Sequence, residues 1–346
     1  MPYAPITIPV FAVHGLLSGA QKHWDGREYL IEEVVSRSGI SRDLLDEPGA
    51  RVTAEQYVKL YALLIDALDD EAIALLSRRL RPGTFALIAR SILGAKTVEA
   101  AVRRVARALT LVQDDLVFAC AREGELSGLV CELRTPESDL PVFAHELLMR
   151  VCWRLIAWML GSGSRPTRFE FSFERPYYAQ AYEAIFPGRL HFGQARSAVW
   201  FESVELARPF RRSEQDLKIF LESATANVAV PGLLRVGTGA QVRAALERSM
   251  PDWPGLPDIA RQMGMSTATL QRQLARERTS LRAIKEELRR DFAIMRLNTS
   301  IVPLSVIASE LGFADSATFQ RAFRIWTGSP PGRYRRRDKR TAARQA

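Results

Sequence analysis

Four side chains in the last quarter of the chain can read hydrogen-bonding edges: Gln271 and Arg272, and again Gln320 and Arg321. A guanidinium presents a fixed fork of N–H donors that fits the two acceptors of a guanine edge, and a carboxamide can donate and accept together. Both pairs hold the same place in a repeated phrase. Ile259 to Leu274 reads IARQMGMSTATLQRQL and Ile307 to Phe323 reads IASELGFADSATFQRAF. The first halves align at an offset of 48 residues and the second halves at 49, so the second copy carries one extra residue at its turn.

The phrase predicts two helices around a glycine. In the first copy Ile259, Ala260 and Met263 point inward, Gly264 supplies a left-handed turn and Ser266 caps the next helix. Burying Leu270 and Leu274, one turn apart, leaves Thr267, Ala268, Gln271 and Arg272 facing out. In the second copy Ile307, Ala308 and Leu311 face inward, Gly312 turns the chain and Asp315 is the cap. Burying Phe319, Phe323 and Trp326 leaves Ser316, Ala317, Gln320 and Arg321 outward. A helix, a glycine turn and a second helix with a polar free face is the pattern of a helix-turn-helix that reads DNA. Between the copies, TSLRAIKEELRRDFAIMRLN places Leu281, Ile284, Leu288, Phe292 and Met295 on one stripe with no breaker. It predicts a rod of about 15 to 18 residues, some 25 Å long at roughly 1.5 Å per residue.

Charge supports a polyanionic partner. The 346-residue chain carries a net charge of +9. Pro251 to Ala346 holds 18 Lys plus Arg against 9 Asp plus Glu, while the rest holds 30 of each sign. The whole surplus therefore sits in the segment with the repeat. RYRRRDKR, from Arg333 to Arg340, follows the second copy, and Arg333, Arg335 and Arg336 are candidate phosphate contacts; a solvated tail is the other reading.

Other constellations carry less. FAVHGLLSG resembles the strand and His-Gly of an α/β-hydrolase oxyanion loop, but no Gly-x-Ser-x-Gly elbow exists in the chain. His14, His23, His145 and His191 lack ligand spacing, so neither a metal nor a cofactor is expected. GSGS at Gly161 to Ser164 lacks the Lys-Ser/Thr of a phosphate loop. RRLRPGTF has the charge to meet an acidic effector, though Arg78 and Arg79 on a helix also suit plain solvation. Cys120, Cys131 and Cys152 sit among apolar residues and read as buried thiols in a reducing compartment. Val142 to Leu160 is apolar but interrupted by His145, Glu146, Arg150 and Arg154, which predicts a buried helix with a polar edge and no membrane span. With no secretion signal read at the N-terminus, the expected location is cytoplasmic.

The first 207 residues read as an α+β domain. TAEQYVKLYALLIDAL opens with a Thr53–Gln56 capping box and aligns Tyr57, Leu60, Leu64 and Leu68. RPGTF is a turn, and KTVEAAVRRVARAL puts Val98, Val102, Val105 and Leu109 on one face. DLVFACARE and SGLVCELRT, separated by GEL, predict a hairpin. TRFEFSF alternates Phe169, Phe171 and Phe173, and SAVWFES is a further strand. Arg211 to Ala224 predicts a helix, VAVPGLLRVGTG a linker, and everything from Ala240 onward is helical. The expected fold class is an α+β N-terminal effector domain followed by an all-α C-terminal domain of two helix-turn-helix units joined by a linker helix. The expected boundaries are 1–207 for the effector or dimerisation domain, 208–235 for the linker, 236–336 for the DNA-binding domain and 337–346 for a basic tail.

On these residues, Ala240 to Arg335 resembles the AraC/XylS family of bacterial transcription regulators. IASELGFADSATFQRAFRIWTGSPPGRYR carries the family signature: Ile-Ala, Gly-Phe, Arg-x-Phe, Gly-x-x-Pro and Tyr-Arg. The resemblance implies that both recognition helices enter adjacent major grooves, with Ala268, Gln271 and Arg272 reading bases from one and Ser316, Ala317, Thr318 and Arg321 from the other. DEPGARVTAEQYVKL, RRLRPGTFALIARSILGAKTVEAAVRR and IFPGRLHFGQARSAVWFE resemble the arabinose-binding-like domain of relatives that regulate ornithine use or virulence, over Ile31 to Ala207. That implies ligand sensing or dimerisation. The expected partners are double-stranded promoter or operator DNA, an unknown small-molecule effector, RNA polymerase and a second copy of the chain in a homodimer. The leading expectation is an effector-responsive activator. A DNA-binder whose N-terminal domain serves only protein interaction, and an enzyme fused to a DNA-binding module, stay open as alternatives.

Overall fold

Period-two and period-3.6 segments sort the chain into two sheets and a series of helices in the computed structural model. The structure describes residues 6–134, 140–161, 164–222, 237–250, 252–277 and 279–335. Contacts divide it into one unit of residues 1–13, 35–57 and 233–346 and another of 14–34 and 58–232.

In the second of these units lies a five-stranded sheet. The hairpin is formed by β3 (Leu116–Glu123) and β4 (Leu126–Leu133), paired Glu123 to Leu126 across a turn in which Gly124 has a φ of 57°. With β5 (Arg168–Glu170), β6 (Arg189–His191) and β7 (Ser197–Glu202) the strand order is β3-β4-β7-β5-β6. All neighbours are antiparallel except β5 and β6. The TRFEFSF strand is shorter than its alternation suggests, yet Phe169 and Phe171 are fully buried and Phe173 packs beside Phe171.

Two helices cover this sheet. α5 (Val98–Val112) buries Val98, Val102, Val105 and Leu109 as its spacing requires. Its C-terminal end also occupies the open edge of β3, where the Thr110 hydroxyl accepts from the Phe118 amide at 2.9 Å and the Gln113 carboxamide accepts from Leu116 at 2.8 Å. Those bonds blunt an edge that would otherwise template pairing with another strand. α6 (Val142–Leu160) is a buried helix, and all four of its polar interruptions are buried too. Glu146 accepts hydrogen bonds from the hydroxyls of Tyr178 and Tyr182, and burial pushes His145 down to about 4. Cys131 and Cys152 are buried, while Cys120 is half-buried; all three are free thiols. Among the described residues this unit also holds α4 (Thr84–Ser91), α7 (Tyr182–Ile185), α8 (Ser203–Leu206) and α9 (Glu214–Glu222), the last within the helix expected from Arg211 to Ala224.

Three helices carry the chain across the division between units: α1 (Val10–His23), α2 (Glu28–Ser38) and α3 (Ala54–Leu68). FAVHGLLSG lies inside α1 and is helical, which removes the strand-and-loop geometry its hydrolase resemblance would need. The Thr53–Gln56 box forms as expected: the Thr53 amide donates to the Gln56 side chain at 2.9 Å, and the Gln56 amide donates back to the Thr53 hydroxyl at 3.2 Å.

Among the described residues, the unit containing the repeat is helical apart from a two-stranded sheet of β1 (Thr7–Pro9) and β2 (Arg51–Thr53). Its helices are α10 (Thr238–Arg248), α11 (Leu256–Gln262), α12 (Thr267–Arg276), α13 (Leu281–Thr299), α14 (Leu304–Glu310) and α15 (Ser316–Thr327). α10 starts at Thr238, within the VAVPGLLRVGTG stretch read as linker and inside the domain expected over 236–336. Residues 223–236, Arg336 and the 337–346 tail lie outside the described residues, as do 162 and 163 of GSGS. No described helix is long and apolar enough to cross a membrane.

Candidate nucleic-acid interface

The two copies fold with matching turns. Gly264 and Gly312 take φ values of 67° and 72°, where a side chain would be strained. Just after each glycine the chain makes the same bond: Met265 N–H to Ala260 O at 3.0 Å, and Phe313 N–H to Ala308 O at 2.9 Å. The caps then match at the longer offset. Ser266 accepts from the Thr269 amide at 3.1 Å, and Asp315 from the Thr318 amide at 2.7 Å. The inserted residue is therefore Ala314, between the closed turn and the cap. Hydrogen bonds from the Thr318 amide and hydroxyl hold the Asp315 carboxyl below the usual range.

Each second helix presents the face its sequence predicts. In α12, Leu270 and Leu274 are buried, and Thr267, Ala268, Gln271 and Arg272 are exposed. In α15, Phe319 and Phe323 are buried, and Ala317, Gln320 and Arg321 are exposed. Ser316 and Thr318 are half-buried, and the Thr318 hydroxyl is bonded to Asp315 at 3.1 Å, so that side chain also serves the cap. Trp326 is half-buried, unlike its two aromatic companions, and packs beside Phe313 with ring centres 5.9 Å apart. Arg276 and Arg324 extend the exposed faces by about one turn. They were legible as i+4 and i+3 neighbours of Arg272 and Arg321.

The rod between the copies is a single helix of 19 residues. Its inward stripe differs from the expected one in its second half. Ile284 and Leu288 are buried as predicted, but Asp291, Ile294 and Leu297 follow them, while Phe292 and Met295 are half-buried. A carboxylate holds that inward position because four partners converge on it. Thr7 donates to Asp291 at 2.5 Å, Arg243 of α10 at 2.9 Å and Arg290 at 3.2 Å; Arg51 reaches it through Thr7, at 2.8 Å. Burial alone would raise the Asp291 carboxyl, and the charges of Arg290, Arg243 and Arg51 outweigh it and hold the group below the usual carboxylate range.

Side chains from α13 also tie the copies together. The Arg289 guanidinium lies 4.9 Å from the Trp253 ring centre and 5.4 Å from that of Phe313. Trp253 precedes α11 and Phe313 belongs to the turn of the second copy. Lys285 donates to the Trp253 carbonyl at 2.9 Å, and a Cβ on Gly312 would stand 3.2 Å from Trp253 Cδ1. On the other side Arg296 donates to both Glu310 oxygens, fixing α14 on α13.

The arginines after α15 have intramolecular partners. Arg333 pairs with Glu47, and Arg335 donates to the carbonyls of Ile301, at 3.3 Å, and Val302. Tyr334 is buried, its hydroxyl accepting from the Arg51 amide at 3.1 Å. Of the expected phosphate-binding residues, Arg333 thus lies in the seam with the β1–β2 segment and Arg335 against the connection between α13 and α14.

Known proteins similar to this chain are transcription regulators. Residues 31–210 match the arabinose-binding domain of AraC transcription regulator, N-terminal, and residues 259–337 match a helix-turn-helix domain. The chain is 26% identical over 337 residues to the ornithine utilization regulator of Pseudomonas aeruginosa, covering 95% of this chain and 96% of that protein. It is 28% identical over 216 residues to the transcriptional regulator VirS of Mycobacterium tuberculosis, covering 59% and 60%. Among solved structures, the transcriptional regulator CdpR from Pseudomonas aeruginosa aligns over 93% of this chain and 98% of that one, at 21% identity and a TM-score of 0.31.

Proposed function

This chain belongs to the AraC-type transcription regulators with an arabinose-binding N-terminal domain, and we propose that it activates transcription from an asymmetric DNA site in response to a small molecule. The observation that carries the proposal is the pair of unlike recognition faces on one clamped frame. α12 offers Thr267, Ala268, Gln271 and Arg272, and α15 offers Ser316, Ala317, Thr318, Gln320 and Arg321. Arginine on such a face pairs with guanine in a bidentate way, and glutamine with adenine. Phosphate contacts come from the exposed basic residues around those helices, Arg276 and Arg324 included.

The effector reading draws on the arabinose-binding match and on a half-open cavity of about 340 Å³ within residues 58–232. That volume falls within the usual range for small-molecule sites. RNA polymerase and a second copy of the chain are the protein partners this reading implies. The test is footprinting of the full-length chain on DNA upstream of its own gene and its neighbours. Two protected blocks on one face of the duplex, with transcription rising when the chain is present, support the proposal. A single protected block, or a fall in transcription, rejects the two-block activator.

A further inference from the structure

The cavity in the effector domain has almost no free polarity, and the chemistry of its wall restricts what can fill it. Its wall comes from α3, the loop 69–80, α4, α5, α6 and α9, with Ile65, Leu76, Leu80, Leu147 and Val151 among the side chains facing it. Among the described residues the lining contains one carboxylate, Glu71, and no Lys, Arg or His. Both Glu71 oxygens are already used, accepting from the Gly83 and Phe85 amides at 2.7 Å each, at the start of α4. The other polar groups are spent as well: the Thr84 hydroxyl donates to the Arg81 carbonyl at 2.6 Å, and the Tyr61 hydroxyl to the Glu71 carbonyl at 3.0 Å.

A sugar brought into such a wall would leave its hydroxyls without partners, and a buried polar group without a partner is costly. An anionic head group would meet Glu71 and find no cation. We infer that this cavity takes an uncharged, mainly apolar small molecule. The inference rests on the effector reading given above and names the ligand class for it.

A second observation marks the same wall as a place where conformation is poised. Ile73, a buried β-branched residue, has a φ of 50°, and Ala74 has 59°. Side chains rarely adopt that region without enforcement, and such residues gather at ligand clamps and switch segments. Enforcement comes from Asp70, whose carboxylate accepts from the amides of Ala72 at 3.0 Å, Ala74 at 2.8 Å and Leu80 at 2.7 Å. It also comes from α1, which approaches so closely that a Cβ on Gly19 would stand 2.3 Å from the Ile73 carbonyl oxygen. Leu75, Leu76 and Leu80 on this loop line the cavity, so a ligand packed against them bears on the strained segment directly.

The experiment uses the full-length chain and the uncharged fluorophore N-phenyl-1-naphthylamine, with 1-decanol, decanoate, decylamine, D-glucose and L-lysine as competitors. Saturable fluorescence enhancement is expected, with 1-decanol displacing the probe at a concentration at least about tenfold below decanoate or decylamine, because an unpaired charge is costly in this wall. Ala144→Trp fills the cavity and should abolish probe binding while leaving duplex DNA binding unchanged; Val151→Phe gives a milder filling should the first variant not fold. Probe binding that survives in a folded filled variant overturns the site. Displacement by glucose, lysine, decanoate or decylamine at or below the decanol concentration overturns the ligand class. DNA binding is read separately on the same samples, so its failure rejects the regulator reading and leaves the cavity result standing.

Discussion

The Arg289 guanidinium lies 4.9 Å from the centre of the Trp253 ring. It also lies 5.4 Å from the centre of the Phe313 ring, so one cation on α13 contacts an aromatic ring from each helix-turn-helix unit. Burial lowers the pKa of Arg289, yet the group stays charged at any physiological pH. The contacts constrain the angle between the units as well as their distance.

Arg289→Ala should therefore loosen spacing rather than abolish base reading. A partly desolvated cation–π contact contributes about 0.5–2 kcal/mol, so the variant should lose up to roughly thirtyfold in affinity for the best-spaced site. It should lose less on sites whose blocks are one base pair closer or farther apart. Arg289→Lys keeps the charge without the flat stacking surface and should fall between. Equal losses on all spacings would show that Arg289 does not set the geometry.

Asp291 gives a pH prediction. It is 2% exposed, its partner Arg243 is 5% exposed, and its carboxyl is held below the ordinary value. A depressed carboxyl pKa contributes stability above the unfolded value near about 4, and that contribution disappears as pH falls through the folded value. Asp291→Asn should cost about 3 kcal/mol at pH 7, the low end for a broken buried pair because Arg243 keeps Glu247 at 3.1 Å. The gap between wild type and variant should narrow progressively as pH falls below about 4. Urea melts at pH 7 and pH 3 measure it, and a pH-independent gap would assign the cost to packing alone.

Excision of the helical region tests the same seam from the other side. A fragment of residues 236–346 lacks Thr7, Arg51 and Glu47, the partners of Asp291, Tyr334 and Arg333. Gly49 also meets the end of α15 so closely that a Cβ there would stand 2.9 Å from the Thr327 carbonyl oxygen. The fragment should bind DNA but melt several degrees below the fragment supplemented with residues 1–57, since about 1 kcal/mol shifts a domain of this size by roughly 4–8 °C. Identical melting would mean that the β1–β2 segment contributes nothing to the helical unit.

The repeat was readable because its determinants are local. Gly264, Gly312, Ser266 and Asp315 act within four residues of themselves, and the leucines and phenylalanines of α12 and α15 fall on a helical period. The α5 face and the β3–β4 hairpin were readable for the same reason. What local pattern could not give is long-range. β1 is three residues long and pairs with residues 51–53, so nothing near Thr7 signals a strand. Asp291 looks like a solvent-facing charge on α13 until Thr7, Arg51 and Arg243 are brought to it from three distant segments. Arg289 likewise reads as one more surface cation, because its two aromatic partners are 36 residues before it and 24 after it.

Arginines on the recognition faces should behave differently from Arg333 and Arg335, which have intramolecular partners. Arg272→Ala and Arg321→Ala should each cost about 1–3 kcal/mol on the specific site and much less on random DNA, since a bidentate contact discriminates at one base position. Arg333→Ala removes a partner of Glu47 and Arg335→Ala two carbonyl bonds, so both should lower melting temperature more than affinity. Specific binding should fall steeply with salt through counterion release. Binding titrations on both DNAs, paired with thermal melts, separate the two groups. Uniform losses on both DNAs from Arg272→Ala and Arg321→Ala would remove their base-reading role.

The spacing of the two blocks follows from α13 and its clamp. Nineteen residues make a helix of about 28 Å, somewhat short of the 34–36 Å between major-groove segments one turn apart. Splay of α12 and α15 from the rod, or bending of the DNA, supplies the difference. The outward residues of the copies differ, and Ala314 adds a residue to the second turn alone, so the blocks should not be related by symmetry. The expected site is a non-palindromic stretch of roughly 15 to 20 base pairs with blocks about 10 apart. Inserting about 5 base pairs turns one block to the far side of the duplex. A single chain held by Arg289 and the Arg296–Glu310 pair cannot follow it, so affinity should drop to that of a site with one block deleted. Inserting about 10 base pairs restores the face but doubles the span, and should fail as well. Footprints that keep both blocks after the 5-base-pair insertion, with one chain bound per site, would mean that α13 and its contacts do not hold the units rigidly.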